Sequence, residues 1–329
     1  MLRTISAWPD RFVLKTPFRI SRGVKTAADV ITVEIRQGEA VGRGEAVPYP
    51  RYGESIEAAL SAVGNATLAL AGGADRDAIL HLMPAGAARN AVDCALWDLE
   101  AQLSGKTVWT LAGVVPPARL ETAVTIGLDA PERMAAAAVL LADVPLLKVK
   151  VDATAPEEQL RAVREAAPLP KLIVDPNESW TMAEVERLQQ LLAEIRCDLL
   201  EQPLPASADD SLRGFRSLIP VCADESAHVA ADIAVLADRY SHVNIKLDKT
   251  GGLTGALALL AEARAAGLGV MTGCMISSSL SIAAALVVAA QSDFADLDGP
   301  LWLSEDRPGG VSEDRGWLLP PAQGFWGGA

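Results

Sequence analysis

The sequence has little of what marks a nucleic-acid binder, a disulfide-stapled protein or a membrane protein. Across 329 residues Asp and Glu outnumber Lys and Arg by 42 to 29, for a formal charge of −13. Phosphate contacts need clustered basic side chains, and no such cluster occurs, so no nucleic-acid partner is expected. The four cysteines, Cys94, Cys197, Cys222 and Cys274, are scattered without CxxC spacing. That argues against a zinc knuckle or a disulfide framework and favours buried thiols. The apolar run Ile282 to Ala290 is too short to cross a bilayer, so no membrane association is expected. The opening MLRTISAWPDRF has no apolar signal core, which points to a cytoplasmic protein. Of the histidines, His81, His228 and His242 all read as structural or surface residues rather than bases.

What is present divides the chain in three. Residues 1–115 read as an α+β unit. RFVLKTPFRI and ADVITVEIRQ are alternating strand-like runs separated by a loop, SRGVKTA. Ala88, Ala91, Val92, Ala95, Leu96, Leu99 and Leu103 then recur at helical spacing, ending at Ser104-Gly105. From 116 to 300 short apolar runs (TAVTI, LLKVKV, KLIVD, CDLLE, PVCAD, HVNIKL, LGVMTG, DFADL) alternate with amphipathic stretches, among them DSLRGFRSL and ADIAVLADR. Asp129 with Glu132, Thr154 with Glu157, and Thr181 with Glu184 are candidate capping pairs. Eight strands and seven helices in this order predict an α/β fold, a (β/α)7β modified TIM barrel with an α+β N-terminal capping domain. An open doubly wound sheet is the runner-up, disfavoured because no GxGxxG follows the first strand. Residues 301–329, rich in Gly, Pro and Trp, are expected to pack back on the capping domain, itself expected to form a lid over the site.

Barrels of this type place their chemistry at the C-terminal ends of the strands. Those ends carry Lys148 and Lys150, then Asp175, Glu201, Asp224, Lys246, Cys274, and finally Asp296 and Asp298, at intervals of 22 to 28 residues from Lys148 on. Each interval is about one βα unit. Residues two apart on a strand share a face, so Lys148 and Lys150 should point inward while Leu147 and Val149 face the helices; the same parity turns Asp296 and Asp298 inward. Buried lysines and carboxylates are costly unless paired or bound to a metal. Asp175, ahead of Pro176-Asn177, could be a simple turn residue, and Asp224 a helix cap. Three carboxylates on consecutive strand ends favour instead a hard, all-oxygen site for Mg²⁺ or Mn²⁺.

These residues resemble the enolase superfamily, and within it the muconate-lactonising-like subgroup: K-x-K at 148–150, Asp175 in VDPNESW, Glu201 in LLEQPLP, Asp224 in CADES and Lys246 in NIKLDKTGG. TPFRISRG, GEAVPYPRYGES, PAGAARNAVDCALWDLE and FADLDGP further resemble dipeptide epimerases acting on L-Ala-D/L-Glu. The resemblance implies a Mg²⁺ ion held by Asp175, Glu201 and Asp224 that chelates the carboxylate of a small dipeptide. Lys150 and Lys246 would move a Cα proton between opposite faces of an enediolate, as expected of superfamily sites that use a lysine base with Mg²⁺. Lys148 would help bind the carboxylate, Asp296 and Asp298 would hold the α-ammonium, and Arg22 would reach the glutamate side chain. Thr125 and the Cys274 to Ile276 backbone would line the pocket. A cationic neighbour and the metal should lower the pKa of the basic lysine. Pro176 departs from the family pattern after the metal-binding aspartate. The implied setting is cell-wall peptide breakdown, and members of such families often form homo-oligomers. Three alternatives stay open. One is another activity on the same two-lysine platform (N-acylamino acid racemase, o-succinylbenzoate synthase or cycloisomerase). The others are a Schiff-base aldolase using Lys150, and a non-catalytic barrel that binds acidic peptides.

Overall fold

The computed structural model describes residues 2–21 and 23–328. The chain opens as an antiparallel meander, β1 (Thr4–Ile20), β2 (Gly23–Gln37) and β3 (Ala40–Ala46). SRGVKTA, expected as a loop, is largely strand: the chain turns at Ser21, and pairing resumes with Ile20 opposite Gly23 and Phe18 opposite Lys25. The register slips between Val13 and Phe18, so this hairpin tip is offset from the rest of the sheet. Ile31, Val33 and Ile35, two apart on β2, bury one face under α1 (Ile56–Ala71), α2 (Arg76–Leu82) and α3 (Ala87–Ser104). Helix α3 lies directly on β3, where a Cβ at Gly42 or Gly44 would collide with the carbonyls of Ala95 and Ala91. Gly105, left-handed at φ 66°, ends α3.

After α4 (Val108–Ala112) and β4 (Leu120–Glu121) come, among the described residues, eight parallel strands in sequential order. They are β5 (Val124–Ile126), β6 (Leu146–Lys150), β7 (Lys171–Asp175), β8 (Leu199–Glu201), β9 (Val221–Ala223), β10 (His242–Ile245), β11 (Gly269–Gly273) and β12 (Phe294–Asp296). The Ala123 N–H donates to the Ala295 carbonyl at 2.8 Å, and Leu297 N–H to Thr122 Oγ1 at 2.9 Å, joining the last strand to the first. The sheet thereby closes into the expected (β/α)7β barrel.

Helices α5 (Pro131–Leu140), α6 (Pro156–Ala166), α7 (Met182–Glu194), α8 (Ile233–Leu236), α9 (Leu247–Thr250), α10 (Leu253–Ala265) and α11 (Ser279–Ala289) surround it. Of the three capping pairs, Thr181 and Glu184 form the reciprocal box. Asp129 and Thr154 do not cap, because Pro131 and Pro156 take the first helical position and shift the cap to Ala130 and Ala155. DSLRGFRSL forms only a 3₁₀ turn at Asp209–Leu212, and ADIAVLADR gives the single turn α8. Gly214 at φ 73° breaks the first of these.

Strand parity sorts the barrel's side chains. Leu147, Val149, Leu172, Val174, Leu200, Val243 and Leu297 join the large cluster between sheet and helices. Ala123, Leu146, Ile173, Leu199, Cys222 and Met271 form a separate cluster, one layer inside the barrel. Two residues further along those strands stand Thr125, Lys148, Asp175, Glu201, Asp224 and Gly273. An apolar plug thus floors a polar mouth.

The tail crosses back under both parts. β13 (Ser312–Asp314) pairs with β14 (Trp317–Leu319), β14 pairs in turn with β4, and Gly327 O accepts from Val108 N–H at 2.9 Å. Arg307 bridges Asp10 at 2.9 Å and the buried Glu45 at 2.8 Å, tying the tail to the first sheet. Among the described residues no helix is long and apolar enough to cross a membrane.

Candidate active site

The β1–β2 tip and the segment after β3 overhang the barrel mouth and enclose with it a cavity of about 280 Å³. Its lining includes Thr125, Lys148, Lys150, Asp224, Lys246, Cys274, Ile276, Asp296 and Asp298. Asp175 and Glu201 lie beneath that lining, with no exposed surface of their own. Arg22 lies outside the described residues.

Lys148 is the hub of the floor. Its Nζ lies 2.6 Å from Glu201 Oε2, 2.7 Å from Asp296 Oδ2 and 3.1 Å from Asp175 Oδ2. Lys150, opposite Asp175 in the β6–β7 register, pairs with the same Asp175 oxygen. Lys246, following β10, holds Asp224 Oδ2 at 2.7 Å. Around the barrel the order is Lys148 and Lys150 on β6, Asp175 on β7, Glu201 on β8, Asp224 after β9 and Lys246 after β10. The acids fill the strands between the lysines, and Lys150 and Lys246 sit four strands apart in a ring of eight, on opposite sides of the mouth.

Three residues that sequence reasoning left without a role complete this layer. Asn244, two before Lys246 on the same strand face, donates from Nδ2 to Glu201 Oε1 at 2.8 Å. Lys249, one turn beyond Lys246, reaches back to Asp224 Oδ1 at 2.6 Å and to the Asn244 carbonyl at 3.0 Å. Gln202 accepts from the Asp224 N–H at 2.8 Å and donates to Tyr240 Oη at 3.0 Å, spacing β8 from β9. The two-residue period carried the signal for Asn244; Lys249 needed its helical turn placed in space. Pro176 leaves its neighbour in position: Asn177 N–H bonds Asp175 Oδ1 at 2.8 Å, with Asn177 and Glu178 left-handed at φ 47° and 65°.

Burial and charge pull against each other here. Burial raises the Glu201 carboxyl, the Asp175 charge adds to it, and Lys148 offsets only part, leaving it at about 8. For Asp224 burial acts in the same sense, but Lys246 and Lys249 prevail and hold it well below the ordinary range. Burial lifts Asp298 to about 6, aided by Asp296, while the Thr125 N–H bonds its Oδ2 at 2.9 Å. The expected depression of the basic lysine's pKa is not found for Lys246: burial lowers it, but Asp224 and Glu201 outweigh that and raise it well above its ordinary value.

As placed, Asp175, Glu201 and Asp224 are each drawn to lysines, and no trio of His, Cys, Asp or Glu among the described residues stands in metal-holding geometry. The donor set nonetheless fits a hard divalent cation. It is all oxygen, buried, on three adjacent strand ends, and one cationic point, Lys148 Nζ, already lies within 3.1 Å of two of the three carboxylates.

Comparison with known proteins agrees in both halves. Residues 3–113 match the mandelate racemase/muconate lactonizing enzyme N-terminal domain, and residues 132–315 the enolase C-terminal domain-like family. The L-Ala-D/L-Glu epimerase of Escherichia coli K12 is 45% identical over 93% of this chain and 96% of its own. The N-acetyl-D-glutamate racemase of a Pseudoalteromonas species is 39% identical over 91% and 96%. A solved enolase family member from Agrobacterium tumefaciens with homology to dipeptide epimerases, holding sodium and L-Ala-L-Glu, superposes with a TM-score of 0.97. It is 47% identical, with 99% of this chain and 100% of that one covered. The dipeptide epimerase of Methylococcus capsulatus, complexed with Mg and L-Arg-D-Lys, gives 0.89 at 34% identity over 98% of each chain. With both halves matched in order and nearly the whole length aligned, the chain belongs to the mandelate racemase/muconate lactonizing enzyme family of the enolase superfamily.

Proposed function

We propose that this chain is a Mg²⁺-dependent dipeptide epimerase that interconverts L-Ala-D-Glu and L-Ala-L-Glu by proton transfer between Lys150 and Lys246. The observation that carries the reading is the order around the mouth: two lysines four strands apart, with three carboxylates on the strands between them. Asp175, Glu201 and Asp224 would hold the ion. When bound, a divalent cation supplies positive charge where the substrate carboxylate gathers electrons as its α-proton leaves.

The rest of the chemistry belongs to the chain. Lys148 would stand beside the substrate carboxylate, since its Nζ already serves Glu201 and Asp175. Asp296 and Asp298 would receive the α-ammonium. Asp296 Oδ1 is buried and has no hydrogen-bond partner among the described residues, so it is free to accept from a cation. One lysine, arriving neutral, takes the Cα proton from its side of the planar carbon, and the other, arriving protonated, returns one from the opposite side. Configuration inverts, and the two lysines exchange protonation states. The carboxylates that raise Lys246 would lose that influence once they share a divalent charge. The four free cysteines suit the reducing cytoplasm, where we place the reaction.

The racemase relative raises a second reading, in which an N-acylated glutamate is the substrate. Such a molecule has no ammonium for Asp296 and Asp298. A panel of dipeptides together with N-acetyl-D-glutamate, incubated in D₂O with Mg²⁺, separates the two. The proposal expects deuterium at Cα with inversion for L-Ala-D-Glu and L-Ala-L-Glu. Exchange confined to the N-acetyl compound would replace it with the second reading, and no exchange with any compound would remove both.

A further inference from the structure

The two lysines assigned to proton transfer are held in different ways. Lys150 ends β6, a strand paired on both sides, with β5 and with β7. Lys246 lies just past β10 and opens the single turn α9, its carbonyl accepting from the Lys249 and Thr250 N–H groups at 3.0 and 3.1 Å. Whatever fixes that turn therefore fixes the backbone from which the Lys246 amine projects. Within the barrel Lys249 holds it, through Asp224 and the Asn244 carbonyl. The capping domain holds it as well. Asp248, buried, accepts at Oδ1 from the Val47 N–H, just past β3, and from Asn90 Nδ2 on α3, each at 2.9 Å. Arg89, the residue before Asn90, donates from Nη2 to the Thr250 carbonyl at 2.6 Å and from Nε to the Gly251 carbonyl at 3.1 Å.

Arg89 meets backbone carbonyls at the far end of the turn and closes it. Asp248 stands two residues from Lys246 and serves donors from two separate cap elements, one of which runs on through Pro48 to Tyr49 on the cavity wall. Without that acceptor two buried donors lose their partner, which favours a shifted turn over an unfilled one. We propose that Asp248 is a positioning residue that ties the seating of the capping domain to the aim of Lys246, and that this tie acts on one of the two bases only. A base must meet its proton within hydrogen-bond reach, and a misplacement of about 1 Å can cost on the order of 100-fold in rate. Lys150, carried by a paired strand four places away in the ring, does not depend on the turn. The inference rests on the proposed function and deepens it: closing the cap would complete the Lys246 side of the site, while the Lys150 side is complete in the barrel alone.

The test follows deuterium exchange at Cα in D₂O with Mg²⁺, separately for L-Ala-L-Glu and L-Ala-D-Glu, in the wild type, Lys246→Ala, Asp248→Ala and Asp248→Asn, with thermal melts reporting folding. Lys246→Ala identifies the epimer that Lys246 serves. Asp248→Ala should lose about tenfold or more of its exchange on that epimer, the worth of one or two misplaced hydrogen bonds, and keep its exchange on the other. Both bonds fall on one oxygen, so the carbonyl of an asparagine can accept both, and Asp248→Asn should stay close to the wild type. Asn90→Leu, which removes one donor and keeps the acid, should show a smaller loss on the same epimer, and it decides the matter should Asp248→Ala not fold. Equal losses on both epimers, or none on either, make Asp248 a structural residue and overturn the inference while leaving the epimerase reading intact. A loss in Asp248→Asn as large as in Asp248→Ala overturns it too. A Lys246→Ala variant that keeps exchange with both epimers, or a wild type that exchanges neither, removes the two-base reading and this inference with it.

Discussion

Asp224 is gripped from two directions: Lys246 Nζ lies 2.7 Å from its Oδ2, and Lys249 Nζ lies 2.6 Å from its Oδ1. Lys246 lies on the cavity wall, whereas Lys249 is fully buried, with its donors spent on Asp224 and the Asn244 carbonyl. Lys246 is therefore available to serve a substrate, and Lys249 fixes the carboxylate.

Replacing Lys249 should separate holding the acid from moving protons. In Lys249→Met one oxygen of a buried carboxylate loses its partner, at a cost of about 1–3 kcal/mol in stability. Outer partners of metal ligands commonly influence affinity by about 10- to 100-fold. Weakening of that size is expected in Mn²⁺ binding followed by electron paramagnetic resonance. A lower melting temperature with unchanged ion affinity would make Lys249 a structural residue only.

Asp298 is anchored by the Thr125 N–H and lies beside Asp296, so an amide there keeps the shape and loses the charge. Asp298→Asn should reduce kcat/KM for L-Ala-L-Glu by about 30-fold or more, the lower end of what truncating a buried charge pair costs. On N-acetylglutamate it should lose less than about tenfold, since no ammonium is involved. Equal losses on both substrates would count against an ammonium site at the end of β12.

Binding of the divalent ion should register in stability as well as activity. A ligand at one hundred times its Kd adds about 2.7 kcal/mol to the folded state. Melting should therefore rise with Mg²⁺ in the wild type and fall after chelation by EDTA. The same titration on Glu201→Gln should give little response; a full wild-type response there would place the ion elsewhere.

The cap–barrel junction carries a pH dependence of its own. Asp248 lies in α9, buried, accepting at Oδ1 from the Val47 N–H and from Asn90 Nδ2, each at 2.9 Å. Burial, with help from Glu54 and Glu45, lifts its carboxyl to about 7 despite those bonds. A raised folded-state pKa means the folded chain keeps a proton that the unfolded chain releases near pH 4. The contribution is complete below that point and is lost as pH climbs toward 7. At about 1.4 kcal/mol per pKa unit it amounts to at most a few kcal/mol. Urea denaturation at pH 4.5 and 7.5 should show a smaller decline for Asp248→Asn than for the wild type, whereas equal declines would assign the slope to other groups.

The barrel was legible because its strand parity is strict. Leu146, Lys148 and Lys150 alternate with Leu147 and Val149, and a polar residue can face a barrel's interior only near the mouth. The same period placed Asp296 inside and Leu297 outside. Local rules failed where a stronger local rule competed, as when Pro131 and Pro156 displaced the expected caps, or where a glycine cut a helix short at Gly214. The β1–β2 tip was misread because strand and loop share a composition there; pairing between Phe18 and Lys25 decides the matter, and pairing is tertiary. Asn244, Asp248 and Lys249 escaped for a related reason, since each gains its meaning from a partner distant in sequence or from a turn whose direction only the fold sets.

The most direct test asks whether two bases work from opposite sides. Lys150→Ala and Lys246→Ala should each abolish epimerisation, yet each should still exchange the Cα proton of one epimer of L-Ala-Glu with D₂O, and the two variants should retain opposite epimers. If one variant keeps exchange with both epimers while the other keeps neither, a single base serves both faces and the arrangement proposed for Lys150 and Lys246 is wrong.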